Sequence, residues 1–362
     1  MMIRRSAWPQ GMRSLLLLLG IGLALEGCVK PQIAYQIDSP SACQKPTRAV
    51  TYGNFPLHLF QPLPIPVLED KLGNEPFDIL KAKATTHGST SAVRFSMQFR
   101  DCILVEAKWR SSPREARRYN NDPRREVASY LLQKLFLEPE DYVVPVTVPV
   151  CIPVADLIRI GLNLEPQLAE LNCVIGPLAI WLRNVEIVAN FLDRERFERS
   201  ATGQEDHGYA RAYANLNIFT YLIRHSDGRK GNFLVSTVPD QPHIFSIDNS
   251  LAYEGLGNPR LLIPQWSKLK VDKLPRDTVE RLRGITQDQL FRQLGVVDEM
   301  SWTEDGRVIR TARFSANFNP QEGFRRQDNR VQIGLTHREI SKITERLRNL
   351  LKRVDSGEIQ LF

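Results

Sequence analysis

The sequence lacks any apolar stretch fit to span a bilayer: the leucine-dominated run Ser14 to Leu25 is about a dozen residues long, against the ~20 a membrane helix needs. Cysteine is scarce, five in 362 residues. No CxxC pair or His/Cys cluster has the spacing of a zinc site, so metal-thiolate chemistry is set aside. Basic residues outnumber acidic ones, 48 to 41, yet no segment is dense enough in them to mark a nucleic-acid stripe; the excess reads as a solvated surface and nucleic acid is not an expected partner. No internal repeat is present, which excludes a solenoid. What remains is a chain of ordinary composition, 42% hydrophobic, long enough to fill one large core or two lobes sharing a cleft.

The amino terminus has a recognisable order. Arg4, Arg5 and Arg13 precede the short apolar run, as in a secretory signal peptide. The run ends in Leu25-Glu26-Gly27-Cys28, which resembles the bacterial lipobox, where a small residue precedes a cysteine that becomes lipidated and then forms the mature terminus. Residues 1–27 are therefore expected to be a lipoprotein signal peptide. Cys28 is expected to carry the lipid, and the chain to be anchored in the bacterial cell envelope, periplasmic or surface-exposed. The alternative is an ordinary signal peptide with Cys28 as a spare thiol. Loss of residues 1–27 removes three arginines and one glutamate, lowering the formal charge from +7 to +5. Four cysteines are left, Cys43, Cys102, Cys151 and Cys173, in a compartment that permits disulfides. Of the three pairings, Cys151 with Cys173 closes the shortest loop and is preferred; Cys43 with Cys102 would staple the amino-terminal arm to the body.

Residues 28–76 are rich in proline, as in Gln61-Pro62-Leu63-Pro64-Ile65-Pro66, and read as an extended tether or strapping arm. Residues 77–183 read as a β-rich lobe. Ile79 to Thr85 and Ser91 to Phe99 flank the small turn Thr86 to Thr90, Cys102 to Trp109 is a third strand, and two more lie in Val143 to Val150 and Pro177 to Arg183. Within this lobe Pro123 to Leu137 has helical periodicity. Residues 184–362 read as mainly helical, with helices over Tyr209 to Arg224, Asp277 to Leu294 and Thr336 to Arg353. The last opens on the capping box Thr336-His337-Arg338-Glu339.

The most informative segment is His225-Ser226-Asp227-Gly228-Arg229-Lys230-Gly231-Asn232, a polar loop between the helix ending near Arg224 and the strand Phe233-Leu234-Val235. A second strand, Ile244 to Ile247, is followed by Asp248. Helix, Asp-x4-Asn loop, strand, turn, strand, Asp is a protein-kinase-like order. In that template the loop aspartate serves the acceptor hydroxyl, while the asparagine and the later aspartate hold magnesium against nucleotide phosphates. The template also asks for a strand lysine and a helix carboxylate. Lys108 ends the strand Ile103 to Lys108, and Glu126 lies on the following helix. Gly88 and Ser89 stand in the turn that would cover the phosphates.

On these residues the stretch Leu80 to Arg353 resembles the atypical kinases that include the secretory-pathway casein kinase, the spore-coat kinases, the HipA-like kinases and, more distantly, phosphatidylinositol kinases. Leu216 to Ile223 is similar to the secretory kinases' helix before the catalytic loop, and Arg125 to Leu132 to their glutamate helix. The loop departs from those families in having Gly228 after Asp227, with His225 before it. The resemblance implies an α+β, bilobal fold with a β-rich N-lobe and a helical C-lobe. It implies a nucleotide such as ATP with Mg²⁺ or Mn²⁺ as cofactors, and a protein or small-molecule hydroxyl as acceptor. By the same resemblance Lys108 holds phosphates, Glu126 orients Lys108, Asp227 serves the acceptor, and Asn232 and Asp248 bind metal. The bland readings are a surface lysine, a Glu126 paired with Arg124 or Arg125, and an Asp248-Asn249 turn. His225 reads as a packing residue, and Arg325, Arg326 and Arg330 as a solvated loop or an acidic-substrate patch. An envelope protein meets little nucleotide, so an inactive kinase-like binding module is the alternative function, with a nucleotidyl transferase on the same fold as a third.

Overall fold

The protein is described from a computed structural model, which covers residues 59–85, 92–112, 122, 124–188, 192–253, 265–311 and 313–362. The expectations for residues 1–27, for Cys28, for most of the proline-rich arm and for Gly88 and Ser89 fall outside them. The first departure from expectation lies at the end of that arm, where Ile65–Asn74 is a helix, α1, and not extended tether. Pro66 sits in its first turn, where a missing N–H costs nothing, and no later proline interrupts it. Leu68 and Leu72, one turn apart, are buried along with Phe60 and Leu63, so this segment belongs to the core. The α1 residue Lys71 pairs with Glu75 at 2.9 Å and with Asp101 at 2.5 Å, tying the helix to the adjoining hairpin.

Alternating apolar residues then build a five-stranded antiparallel sheet from β1 (Phe77–Ala84), β2 (Val93–Phe99), β3 (Leu104–Trp109), β4 (Thr147–Pro153) and β5 (Cys173–Ile180), in the order β1-β2-β3-β5-β4. Phe95, Met97, Val105, Ala107 and Trp109 are buried from it, while the polar Glu106 and Lys108 alternate with them. Phe95 and Trp109 stack at 5.7 Å between centroids. Gly176 is required beside them, because a Cβ there would lie 2.1 Å from the Arg110 carbonyl oxygen. Between β3 and β4 runs α2 (Arg124–Gln133), which buries Val127, Ala128, Tyr130 and Leu132. Its Gln133 amide closes the helix end against the chain leading into β4, accepting from Val144 N–H at 2.8 Å and donating to Val144 O at 2.9 Å.

A short helix, α3 (Val154–Arg159), follows β4. Cys151 and Cys173 form a disulfide between β4 and β5, as their short separation of 22 residues suggested. Cys102 is also disulfide-bonded. Its partner lies outside the described residues. Replacing Cys151 and Cys173 together with alanine is expected to lower stability by about 3 kcal/mol, from the chain entropy that a loop of this length restores to the unfolded state. Denaturant midpoints of the oxidised wild type and the double variant check this; equal midpoints would refute it.

The second half holds β6 (Val185–Ile187), α4 (Arg194–Ala201), α5 (Gly208–Leu222), β7 (Phe233–Ser236) and β8 (Ile244–Ser246), with the three strands forming one small sheet. Beyond it lie β9 (Lys273–Leu274), α6 (Arg276–Arg283) and α7 (Gln287–Leu294). The single helix expected over Asp277 to Leu294 is thus two. Gly284 ends the first, and the Thr286 side chain starts the second by accepting from Gln289 N–H at 3.1 Å.

Residues expected to be helix or solvated loop form instead a four-stranded antiparallel sheet. Its strands are β10 (Asp298–Trp302), β11 (Val308–Arg310), β12 (Phe324–Gln327) and β13 (Arg330–Ile333), in the order β11-β10-β13-β12. These strands are short and carry buried polar residues, Glu299, Arg325 and Gln332, which mask the alternation that would announce them. Met300, Trp302, Val308 and Val331 pack on Leu171, Ile175 and the Cys151–Cys173 pair, so this sheet leans on β4 and β5. Arg325 is no substrate patch. It is buried and donates to the carbonyls of Asn319, Gly295 and Leu335 at 2.7, 2.5 and 2.8 Å. Burial, with Arg124 nearby, pulls its pKa down to about 10. Arg326 pairs with Glu170 at 2.7 Å, and Arg330 donates to the Ser315 hydroxyl at 2.8 Å.

The chain closes with α8 (His337–Asp355) and β14 (Gln360–Leu361), which pairs in parallel with β9. The capping box is present: Glu339 N–H donates to the Thr336 hydroxyl at 3.2 Å, and Thr336 N–H to the Glu339 carboxylate at 2.8 Å. The architecture is mixed α+β, with several antiparallel sheets. Among the described residues no helix is long and apolar enough to cross a membrane.

Candidate functional site

The strand period decides where Lys108 points. With Ala107 and Trp109 committed to the core, Lys108 takes the opposite face of β3 and keeps its amine partly accessible. There it forms an ion pair with Asp248, 140 residues further along the chain. Asp248 is delivered by β8. Ile247 N–H donates to Asn232 O at 3.0 Å, and Asp248 then adopts a left-handed conformation, φ +58°, that begins the 3₁₀ turn Asn249–Leu251. Aspartate tolerates that conformation better than most side chains, so Asp248-Asn249 does form the turn that those residue types suggest.

Glu126, in the first turn of α2, joins the same place from the other side. Its Oε2 accepts from the Asn249 backbone N–H at 3.0 Å. The expectation that Glu126 holds Lys108 directly is refined by this: the amine is held by Asp248, and Glu126 holds the turn on which Asp248 sits. Nor is Glu126 spent on its neighbours, since Arg124 pairs with Asp122 and Glu339, and Arg125 with Glu339. Burial and the Asp248 charge raise the Glu126 pKa, against the pull of Lys108 and Arg110. Burial alone would raise Asp248 as well, but the Lys108 ammonium and then Arg110 hold it below its ordinary value. Asp248 is therefore the ionised partner of Lys108, and the two carboxylates are driven apart in proton affinity by position alone.

The Asp-x4-Asn loop forms the second half of the site. α5 ends at Leu222, and the chain turns through Arg224, which has φ +47°, into buried His225. His225 packs edge-on to Phe233 at 5.9 Å, and burial pushes its pKa down to about 4, consistent with packing rather than proton transfer near neutrality. Asn232 ends a 3₁₀ turn, Lys230–Asn232, and its amide nitrogen donates at 2.8 Å to both the carbonyl and the Oδ2 of Asp227. The Asp227 carboxylate, about three-quarters buried, also takes the exposed Arg229 guanidinium at 3.1 Å. The backbone bond from Ile247 to Asn232 joins the two halves, so Lys108, Glu126, Asp248, Asn232 and Asp227 form one connected chain of contacts.

One residue of this site was missed in the sequence. Arg110 lies within electrostatic reach of both Glu126 and Asp248. Its signal was available: it stands two positions after Lys108, hence on the same side of an extended chain.

The donor set suits a hard cation shared with phosphates. Asn232 gives its nitrogen to Asp227, so its amide oxygen and the Asp248 carboxylate are the atoms that could take a cation. Among the described residues no group of three or more His, Cys, Asp or Glu forms a cage for a metal by itself. Magnesium in phosphoryl-transfer sites takes one or two protein ligands and the substrate's oxygens, and a pair of this kind fits that role.

Comparison of the chain with known protein families and with curated proteins finds no match.

Proposed function

We propose that this chain is a lipid-anchored, extracytoplasmic phosphotransferase of kinase-like bilobal architecture, moving a phosphoryl group from a nucleotide to a hydroxyl of a protein or small molecule. The observation that carries the reading is the meeting of Lys108 from the third strand with Asp248, beside Glu126 from the helix that follows that strand. A strand lysine, a helix glutamate and a metal-binding aspartate brought together over this sequence distance are what phosphoryl transfer asks of its positioning groups. Lys108 would hold donor phosphates, released from Asp248 as they bind. Asp227, oriented by Asn232, would accept the proton of the acceptor hydroxyl as its oxygen forms the new bond to phosphorus and the bond to the leaving diphosphate breaks. Mg²⁺ or Mn²⁺ bound by Asn232 and Asp248 would neutralise charge on the phosphates. The residues act by positioning and electrostatics, and no covalent intermediate on the protein is needed.

A second reading has an observation in its favour: Lys108 and Asp248 already satisfy each other, as in a module that binds a partner without turnover. Thermal melting of residues 29–362 with millimolar ATP, with and without Mg²⁺ or Mn²⁺, separates the two. Nucleotide at a hundredfold its dissociation constant is expected to add about 2.7 kcal/mol of stability. The gain should need the metal and vanish in Asp248→Ala. A metal-independent result, or none, would sink the phosphotransferase reading. Product mass after incubation with generic hydroxyl acceptors distinguishes phosphoryl from nucleotidyl transfer.

A further inference from the structure

Arg124 and Arg125 open α2, where two positive charges oppose the helix dipole. Local helix chemistry gives no reason for them, so their reason lies elsewhere in the fold. Both reach Glu339, which is 1% exposed at the start of α8. Arg124 donates to its two oxygens at 2.8 and 3.2 Å, and Arg125 Nε donates to Oε1 at 2.8 Å. Arg124 also donates to Gly334 O at 2.7 Å and pairs with Asp122. Gly323 leaves room for that guanidinium, since a Cβ there would come within 2.1 Å of Arg124 Nε. The two arginines in turn hold the Glu339 carboxylate down to about 2, against the burial that would raise it.

The same stretch of chain touches the candidate site. Asp122 N–H donates to Ser250 O at 3.1 Å, Glu126 accepts from Asn249 N–H at 3.0 Å, and the hydroxyls of Ser129 and Tyr253 meet at 3.0 Å. Every one of these contacts falls on the segment that Asp248 begins.

We propose that Glu339 is a positioning residue: through Arg124 and Arg125 it clamps the start of α2 to α8, and so fixes where Glu126 meets the Asp248–Ser250 turn. The consequence for phosphoryl transfer rests on the function proposed above; the clamp itself does not. α2 is on this account a fixed strut, and the site stands assembled before any ligand arrives.

The test follows one amide, Asn249 N–H, whose hydrogen exchange reports its bond to Glu126, alongside the dissociation constant for MgATP. Glu339→Gln keeps size and a capping oxygen but removes the charge. Asp193→Ala, which strips the cap from α4 away from this network, supplies the comparison for general loss of stability. Glu339→Gln is expected to speed Asn249 exchange at least tenfold and to weaken MgATP about tenfold, with both staying within twofold of wild type in Asp193→Ala. If Glu339→Gln does not fold, Arg124→Lys, which keeps the charge but loses the fork, is read in the same way. Asn249 exchange no faster than in Asp193→Ala overturns the proposal, as does unchanged MgATP affinity in a protein whose Asn249 has loosened. A wild type that binds no MgATP, with Asn249 loosened in the variant, overturns the functional reading and leaves the clamp standing.

Discussion

Lys108→Met is expected to lower phosphoryl transfer about a thousandfold while leaving the fold in place. The methionine keeps most of the lysine's length and sits on a partly exposed sheet face, so packing changes little. What is lost is a charge aimed where donor phosphates would sit. Removing one preorganised electrostatic group from an active site typically costs about 10²–10³ in rate. The Lys108 amine is also the largest of the influences that hold the Asp248 proton affinity down, and without it Arg110 and His225 are left to do so. Metal affinity should therefore rise, or hold, as transfer falls. Turnover with a generic acceptor, read beside metal titration and a melting curve, checks all three; turnover within threefold of wild type would remove Lys108 from the mechanism.

Arg124→Ala is expected to have the largest effect on stability, about 3–5 kcal/mol, because it leaves Asp122 and half of Glu339 buried without their partner. For a domain of this size that corresponds to a fall of roughly 10 °C in melting temperature. The acid limb of stability should report the same cluster. Glu339 sits at about 2 in the folded chain against an ordinary 4.5. A carboxylate depressed on folding contributes stability that is present above its unfolded value and is lost as pH falls towards the folded one. Its share, about 3 kcal/mol, should disappear between pH 4.5 and 2. His225 acts earlier and with the same sign. Its pKa falls to about 4 on burial from an ordinary 6.5, so the unfolded chain binds its proton first and stability declines as pH drops through that interval. Unfolding free energy measured from pH 7 to pH 2 should show both declines in wild type, and Glu339→Gln should shrink the lower one, to which Asp277, also held at about 2, contributes as well; an unchanged lower limb would exclude Glu339 from it.

The parts of the site that were legible in the sequence were those carried by local pattern. Asp227 and Asn232 share one loop and were singled out by their spacing; the bond between them is seen only in the fold. Lys108 at the end of an apolar strand and Asp248 after a short one were singled out by the order of the elements. His225 read as a packing residue of the loop, and it is buried. The strands β10 to β13 were illegible for a physical reason: Glu299 accepts from Ser315 and Gln332, and Arg325 is satisfied by three carbonyls, so polar side chains occupy core positions. A pattern of apolar residues does not reveal a strand whose interior is a hydrogen-bond network. The helix α1 was hidden by the prolines before it, which favour extended backbone up to the first turn and then cease to matter.

Local chemistry alone determined the capping box at Thr336, the alternation that turns Lys108 away from the core and the Asp-x4-Asn loop, since each depends on residues a few positions apart, while it only favoured Cys151 with Cys173 among three possible pairings. Tertiary structure decided the rest. It paired Lys108 with Asp248 rather than with Glu126, gave Glu126 to the backbone of Asn249, added Arg110 to the electrostatics, and bound Arg124 and Arg125 to Glu339 more than two hundred residues away. Charges choose partners by distance and burial, and a sequence records neither until the chain has folded.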